Sequence, residues 1–121
     1  MQMNEITFTQ ATPIDGYGPG FFRIAGQVFQ GAVCVTETGA RSWGGMADVD
    51  TLLALVGEID VIFLGTGDEI SHIPATFRTQ LEQTGIGVEI MNSPAACRTY
   101  NVLLSEGRRV AAAVLPVDAS Q

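Results

Sequence analysis

The stretch Asp60-Val61-Ile62-Phe63-Leu64-Gly65-Thr66-Gly67 reads as a buried strand that stops at glycines. A short unbroken apolar run bounded by turn residues is what a strand covered on both faces requires. Downstream the pattern alternates. A helix is expected around residues 74–84, a strand over Gly87–Met91, a helix over Pro94–Ser105 and a strand over Arg109–Val117. Strands alternating with helical patterns predict βαβ crossovers and parallel pairing. The last strand, Val110-Ala111-Ala112-Ala113-Val114-Leu115, is apolar on both faces and is expected near the sheet centre. The helix before it carries end signals, with Ser93 as N-cap, Pro94 at the first helical position and Gly107 just past the end. Its buried face is predicted to hold Ala96, Tyr100, Leu103 and Leu104, and its polar stripe Arg98, Asn101 and Ser105.

Upstream, residues 4–36 read as strand-rich. Ile6 and Phe8 alternate with polar neighbours, as do Phe22 and Ile24 around Arg23. Asp15-Gly16-Tyr17-Gly18-Pro19-Gly20 is expected to be a loop, because glycine and proline punctuate it. Ala25-Gly26-Gln27-Val28 looks like a tight hairpin connection leading to a strand through Val33 and Val35, so the first third is predicted to be an antiparallel meander. Val49, Leu52, Leu53 and Val56 fall at helical spacing, with Gly57 as the residue after the helix end. Together these give an α/β fold of mixed α+β character: a single domain over residues 1–121, with a strand-rich N-terminal third followed by alternating strands and helices.

The totals agree with one packed domain. The chain has 121 residues, 46% hydrophobic and 16% charged, which is the balance of a globular protein and not of a disordered one. Its net charge is −7, and its six basic residues are all arginine, scattered apart from the pair Arg108-Arg109. No basic stripe is present, so nucleic acid is excluded as a partner class. No apolar run approaches the length of a membrane span and the N-terminus lacks a basic start, so membrane insertion is not expected and the chain reads as cytoplasmic. Cys34 and Cys97 are far apart and without a histidine cluster, so no metal site and no cofactor are expected.

Candidate chemistry is sparse. Gly65-Thr66-Gly67 resembles half of a nucleotide loop. It lacks the third glycine of GxGxxG and the Walker lysine, and Asp68 and Glu69 follow where a phosphate would sit. A tight turn leaving a strand is the simpler reading. Asn92-Ser93 also follows a strand and opens a helix, so parallel strands would bring both junctions to one edge, where open α/β sheets bind ligands. A crevice bordered by Thr66, Gly67, Asn92 and Ser93 is therefore expected. Cys97 lies near a helix start, which can activate a thiol, yet small buried cysteines are commoner than nucleophiles. His72, just before Pro74, fits a helix-entry residue better than a base. No complete catalytic set is visible. Glu106-Gly107-Arg108 reads as a helix cap with a surface ion pair, and Trp43 as a core residue.

Thr99-Tyr100-Asn101 and Glu106-Gly107-Arg108-Arg109-Val110-Ala111-Ala112, together with Leu64-Gly65-Thr66-Gly67, resemble the Mth938-like family of small domains, which includes mitochondrial respiratory complex I assembly factor 3. The resemblance covers nearly the whole chain. It implies a three-layer β/β/α architecture, no established reaction, and a non-catalytic assembly or interaction role with protein partners such as subunits of a membrane complex. It also implies that the partner surface lies near Tyr100, Asn101, Arg108 and the Gly65–Gly67 turn. Where the family pattern has Asp-Thr, this chain has Asn92-Ser93, which removes a charge. The alternative is a small anionic-ligand or nucleotide-binding protein, or an enzyme, using the crevice at Gly65–Gly67 and Asn92-Ser93. A homo-oligomer is left open.

Overall fold

The computed structural model describes residues 12–118. The expected strand around Ile6 and Phe8 lies outside them. Among these residues eight strands form two sheets: β1 (Ile14–Gly18), β2 (Phe21–Ile24) and β3 (Gln27–Gln30) make an antiparallel meander, and β4 (Val33–Thr36), β5 (Gly39–Ser42), β6 (Val61–Gly65), β7 (Gly87–Met91) and β8 (Val110–Val114) make a mixed sheet in the order β5-β4-β8-β6-β7. A single 3₁₀ turn over Gly45–Ala47 precedes the helices α1 (Asp50–Leu53), α2 (Ala75–Glu82) and α3 (Ser93–Ser105).

The period-two patterns decide which residues face which layer. In β8, Val110, Ala112 and Val114 pack with Ile14, Phe22 and Ile24 of the small sheet and with Ala96, Cys97, Tyr100 and Leu104 of α3. Ala111 and Ala113 face the other way, into a second core with Leu52, Leu55, Phe77, Leu81 and Trp43. The five-stranded sheet is thus the middle of three layers. α1 and α2 cover one face; the small sheet covers the other and shares that layer with α3. β6 pairs in parallel with both β7 and β8, and β8 lies at the centre of the sheet order, as its all-apolar composition requires.

Several local expectations are corrected. Residues 14–18 are strand and not loop: pairing with β2 keeps Ile14–Gly18 extended despite its glycines, and only Pro19-Gly20 turns. β5 was missed, because Gly39-Ala40-Arg41-Ser42 is too polar to signal a strand, yet it pairs with all of β4. The helix expected to Val56 is a four-residue α1 followed by turns through Glu58, with Gly57 at a φ of +87°. α3 is capped by Asn92, whose Oδ1 accepts from the Ala95 N–H at 2.8 Å, so Ser93 is the first helical residue and not the cap. The tight hairpin expected over residues 25–28 turns at Ala25-Gly26, both at positive φ, but the strand expected to lead on through Val33 and Val35 breaks at Gly31-Ala32: β3 stays in the meander and β4 joins the five-stranded sheet.

Asp48 organises the entry to α1. Its carboxylate accepts from Thr51 Oγ1 at 2.6 Å, from the Thr51 N–H and from the Gly44 N–H, while its carbonyl accepts from Trp43 Nε1 at 2.9 Å. Trp43 is buried against Phe77. The Thr51 hydroxyl, then the Gly44 amide, hold the Asp48 carboxyl below its ordinary value of 3.8. A depressed folded value means a contribution complete above the unfolded value and lost as pH falls through the folded one. Asp48→Asn is therefore expected to reduce the loss of stability between pH 7 and pH values below 3.8, read as the difference in urea midpoints.

Candidate functional site

The carboxyl ends of β6 and β7 meet where α2 leaves to one face of the sheet and α3 to the other, the geometry at which open α/β sheets bind ligands. Here that junction is closed by the chain itself. The Ser93 N–H donates to Gly67 O at 2.8 Å, the Gly67 N–H donates back to Ser93 Oγ at 2.9 Å, and the Ser93 hydroxyl donates to Leu115 O. Ser93 is fully buried. The Thr66 N–H donates to Met91 O, and Thr66 Oγ1 donates to Glu69 O and accepts from the Ser71 N–H.

The start of α3 is equally occupied. Ser93 N–H is bonded to Gly67 O, Pro94 has none, Ala95 N–H goes to the Asn92 side chain and Ala96 N–H to Asn92 O. A helix start attracts anions through free N–H groups, and these have partners within the chain. Gly65 is needed for close approach: a Cβ there would lie 2.7 Å from Ser93 Cα and 2.8 Å from Val114 Cγ1. Thr66, Gly67, Asn92 and Ser93 are thus brought together as expected, and they form a staple. Ser93→Ala strips the buried Gly67 N–H and the partly buried Leu115 carbonyl of their partner, so a loss of about 1–3 kcal/mol in urea-derived stability is expected.

The second triplet also has internal work. Tyr100 is buried and its hydroxyl donates to Thr12 O at 2.8 Å. Asn101 Oδ1 accepts from the Ile14 N–H at 2.9 Å and its Nδ2 donates to Ile14 O at 2.8 Å, fastening β1 to α3. The expected polar stripe is corrected accordingly, since Asn101 faces β1 and not solvent with Arg98 and Ser105. Thr99 is partly buried beside Arg98, Val102 and Leu103, in a shallow depression of about 380 Å³.

Glu106 and Arg108 are exposed, and Glu106 caps α3 through its N–H to Leu103 O. The ion pair at this end joins Arg109 to Asp60 at 2.8 Å, not Glu106 to Arg108. It too is exposed and adds little. In the parallel register Val110 lies beside Val61 and Val114 beside Gly65. Arg108 and the Gly65–Gly67 turn therefore sit beyond opposite ends of the strands, whose four steps from Val110 to Val114 alone span roughly 13 Å at ~3.3 Å per residue. The residues singled out in the sequence do not form one surface.

Both thiols are free and buried. Burial pushes Cys34 up to about 11 and Cys97 up to about 12, with nearby Arg41 and Arg98 lowering them only partly. Cys97 packs among apolar residues of the core beneath α3. Neither thiol is expected to react with iodoacetamide at pH 7 in the folded protein, whereas both should react in urea; mass spectrometry reads the difference.

Sequence reasoning missed the groove beside β7. A groove of about 670 Å³ runs along β7, lined by Ile70, Ser71, His72 and Ile73 of the β6–α2 segment, Ala75 and Arg78 of α2, and Val88, Glu89 and Ile90. Ile70 is 62% exposed. His72 lies on this loop next to the start of α2, as a helix-entry residue. The alternation of Val88 and Ile90 about Glu89 was readable; that β7 would be an edge strand among the described residues was not. Among the described residues no group of His, Cys, Asp and Glu is placed to hold a metal ion, and no helix is long and apolar enough to cross a membrane.

Residues 14–115 match the family model described as "Protein of unknown function (DUF498/DUF598)". An uncharacterized protein of Rhodobacter capsulatus is 48% identical over 117 residues, covering 97% of this chain and 94% of that one. NADH dehydrogenase (ubiquinone) 1 alpha subcomplex assembly factor 3 of Danio rerio is 34% identical over 112 residues, 87% of this chain but 64% of that protein, so the chain spans less than two thirds of that assembly factor. Among solved structures, an outer membrane protein from Bartonella henselae superposes with a TM-score of 0.81 at 33% identity, covering 93% of this chain and all of that one (100%). A Mth938-like domain from Bordetella pertussis gives 0.76 at 26% identity, over 99% of this chain and 96% of that one. The chain therefore belongs to the DUF498/DUF598 family, the family of small Mth938-like domains to which its Gly65-Thr66-Gly67, Thr99-Tyr100-Asn101 and Glu106-Gly107-Arg108 triplets point.

Proposed function

We propose that this protein is a non-catalytic interaction module of the assembly-factor kind, acting from the cytosolic side on subunits of a membrane complex. The observation that carries the reading is the β7 edge, where backbone and apolar side chains lie open beside a groove of about 670 Å³. The polar groups that a ligand site would use, at Thr66, Gly67 and Ser93, are bonded within the chain. Asp68 and Glu69 further disfavour an anion there. The kinship with complex I assembly factors supports protein partners.

The test is affinity purification of the tagged protein from its native cells under gentle detergent, with mass spectrometry against a tag-only control. Specific membrane-complex subunits should co-purify, and Ile70→Asp should release them without changing the thermal midpoint. Arg108→Ala, at the opposite end, is run beside it, and loss of partners there would move the contact to that end. Recovery of the tagged protein alone overturns the reading.

A further inference from the structure

β7 ends the five-stranded sheet, with β6 as its strand neighbour among the described residues. Successive residues of a strand send their backbone groups to opposite sides. The Gly87 N–H donates to Asp60 O and Met91 O accepts from the Thr66 N–H, so Gly87, Glu89 and Met91 address β6. Val88 and Ile90 address the outside. Arg78 Nη2 donates to Val88 O at 3.3 Å, as that direction requires. Arg78 thereby covers part of the edge, a device that discourages indiscriminate strand pairing.

The two sides of this edge differ. Val88 and Ile90 join the core beneath α2, so their side of the sheet continues into the apolar groove with Ile70, Ile73 and Ala75. Glu89, which also borders the groove, is exposed, and strand alternation turns its side chain to the other side. Asp68 and Glu69, just before Ile70 in sequence, are exposed, and Arg78 is paired with Glu82 at 2.9 Å. The edge is therefore apolar on one side and acidic on the other, in a chain whose net charge is −7.

We propose that β7 takes up an extended segment of a partner protein as an added strand, with apolar residues at alternate positions and lysine or arginine between them. This deepens, and rests on, the interaction-module reading. The added strand would bond to the outward groups of Val88 and Ile90, displacing Arg78 from Val88 O, with its apolar side chains in the groove and its basic ones against Glu89. Alternation supplies both at once, because neighbouring side chains of a strand face opposite sides. A second copy of this chain fits poorly: antiparallel pairing of β7 with itself about Glu89 sets Glu89 against Glu89, and like charges directly opposite destabilise a ladder.

The experiment uses the full chain and a fluorescein-labelled octapeptide, Lys-Val-Arg-Ile-Lys-Val-Arg-Ile, against a twin with glutamate at every basic position. Polarisation should show saturable binding of the basic peptide, weakened by salt, and none of the twin. Amide exchange should slow at Val88 and Ile90. Ile90→Pro removes an outward donor and leaves the β6 ladder intact, so it should abolish binding. Because that change also alters packing, Glu69→Lys with Glu89→Lys, at exposed positions, serves independently and should weaken binding roughly tenfold or more. Absence of binding, indifference to the charge reversal, protection on another element, or a peptide-free dimer that protects Ile90 would each overturn the proposal. Peptide binding lost with cellular partners retained removes this edge alone, and the reverse removes the module reading alone.

Discussion

Tyr100→Ala is expected to lower the free energy of unfolding by about 3–5 kcal/mol. Tyr100 is 0% exposed and is the largest fully buried side chain, set between α3, the small sheet and the middle sheet. Truncation opens a cavity where three elements converge and also leaves Thr12 O without its donor. Single-domain stabilities are typically about 5–15 kcal/mol, so this one change removes a large share. Tyr100→Phe keeps the volume and loses only the hydroxyl, so it should cost about 1 kcal/mol. Urea unfolding of both variants checks the pair. If the two losses were equal, the hydrogen bond and not the packing would be what Tyr100 supplies.

Gly65→Ala should destabilise by about 1–3 kcal/mol, although it adds a single methyl. The added Cβ would meet Ser93 Cα and Oγ at 2.7 Å and Val114 Cγ1 at 2.8 Å, and the first of these is backbone that cannot rotate away. Relief requires α3 to move off β6, which stretches the reciprocal bonds between Gly67 and Ser93. Gly16→Ala is the matched control, because a Cβ there meets nothing within 4 Å. It should change stability by less than ~0.5 kcal/mol. Equal effects at the two positions would mean that helix propinquity is not what Gly65 secures.

The alternating half of the fold was legible because its signals are local and strong. The β6 run, the Pro94 helix start and the all-apolar β8 each follow from burial on two faces or from end chemistry. β1 and β5 were not legible, since Gly16, Gly18, Gly39 and Ser42 lower strand propensity and only pairing with β2 and β4 makes those segments strands. Convergence of Thr66, Gly67, Asn92 and Ser93 was readable from two parallel strand ends, but not that their polar atoms would bond to one another. Asn101 looked like a surface residue because its partner is the backbone of Ile14, 87 positions away, and no side-chain pattern records that. The openness of β7 depends on sheet order, a property of the whole chain.

The central place of β8 also sets the order of events as the chain is made. β4 and β6 touch β8 from either side, so the hairpin of β4 and β5 and the unit of β6, α2 and β7 share no common strand until residues 110–114 arrive. During synthesis both pieces leave the ribosome with strand edges exposed, and the middle sheet closes only when its last strand slots between them. The nascent chain therefore carries two unjoined sets of strand edges until residues 110–114 are free of the ribosome, and depends on being finished quickly or shielded until then.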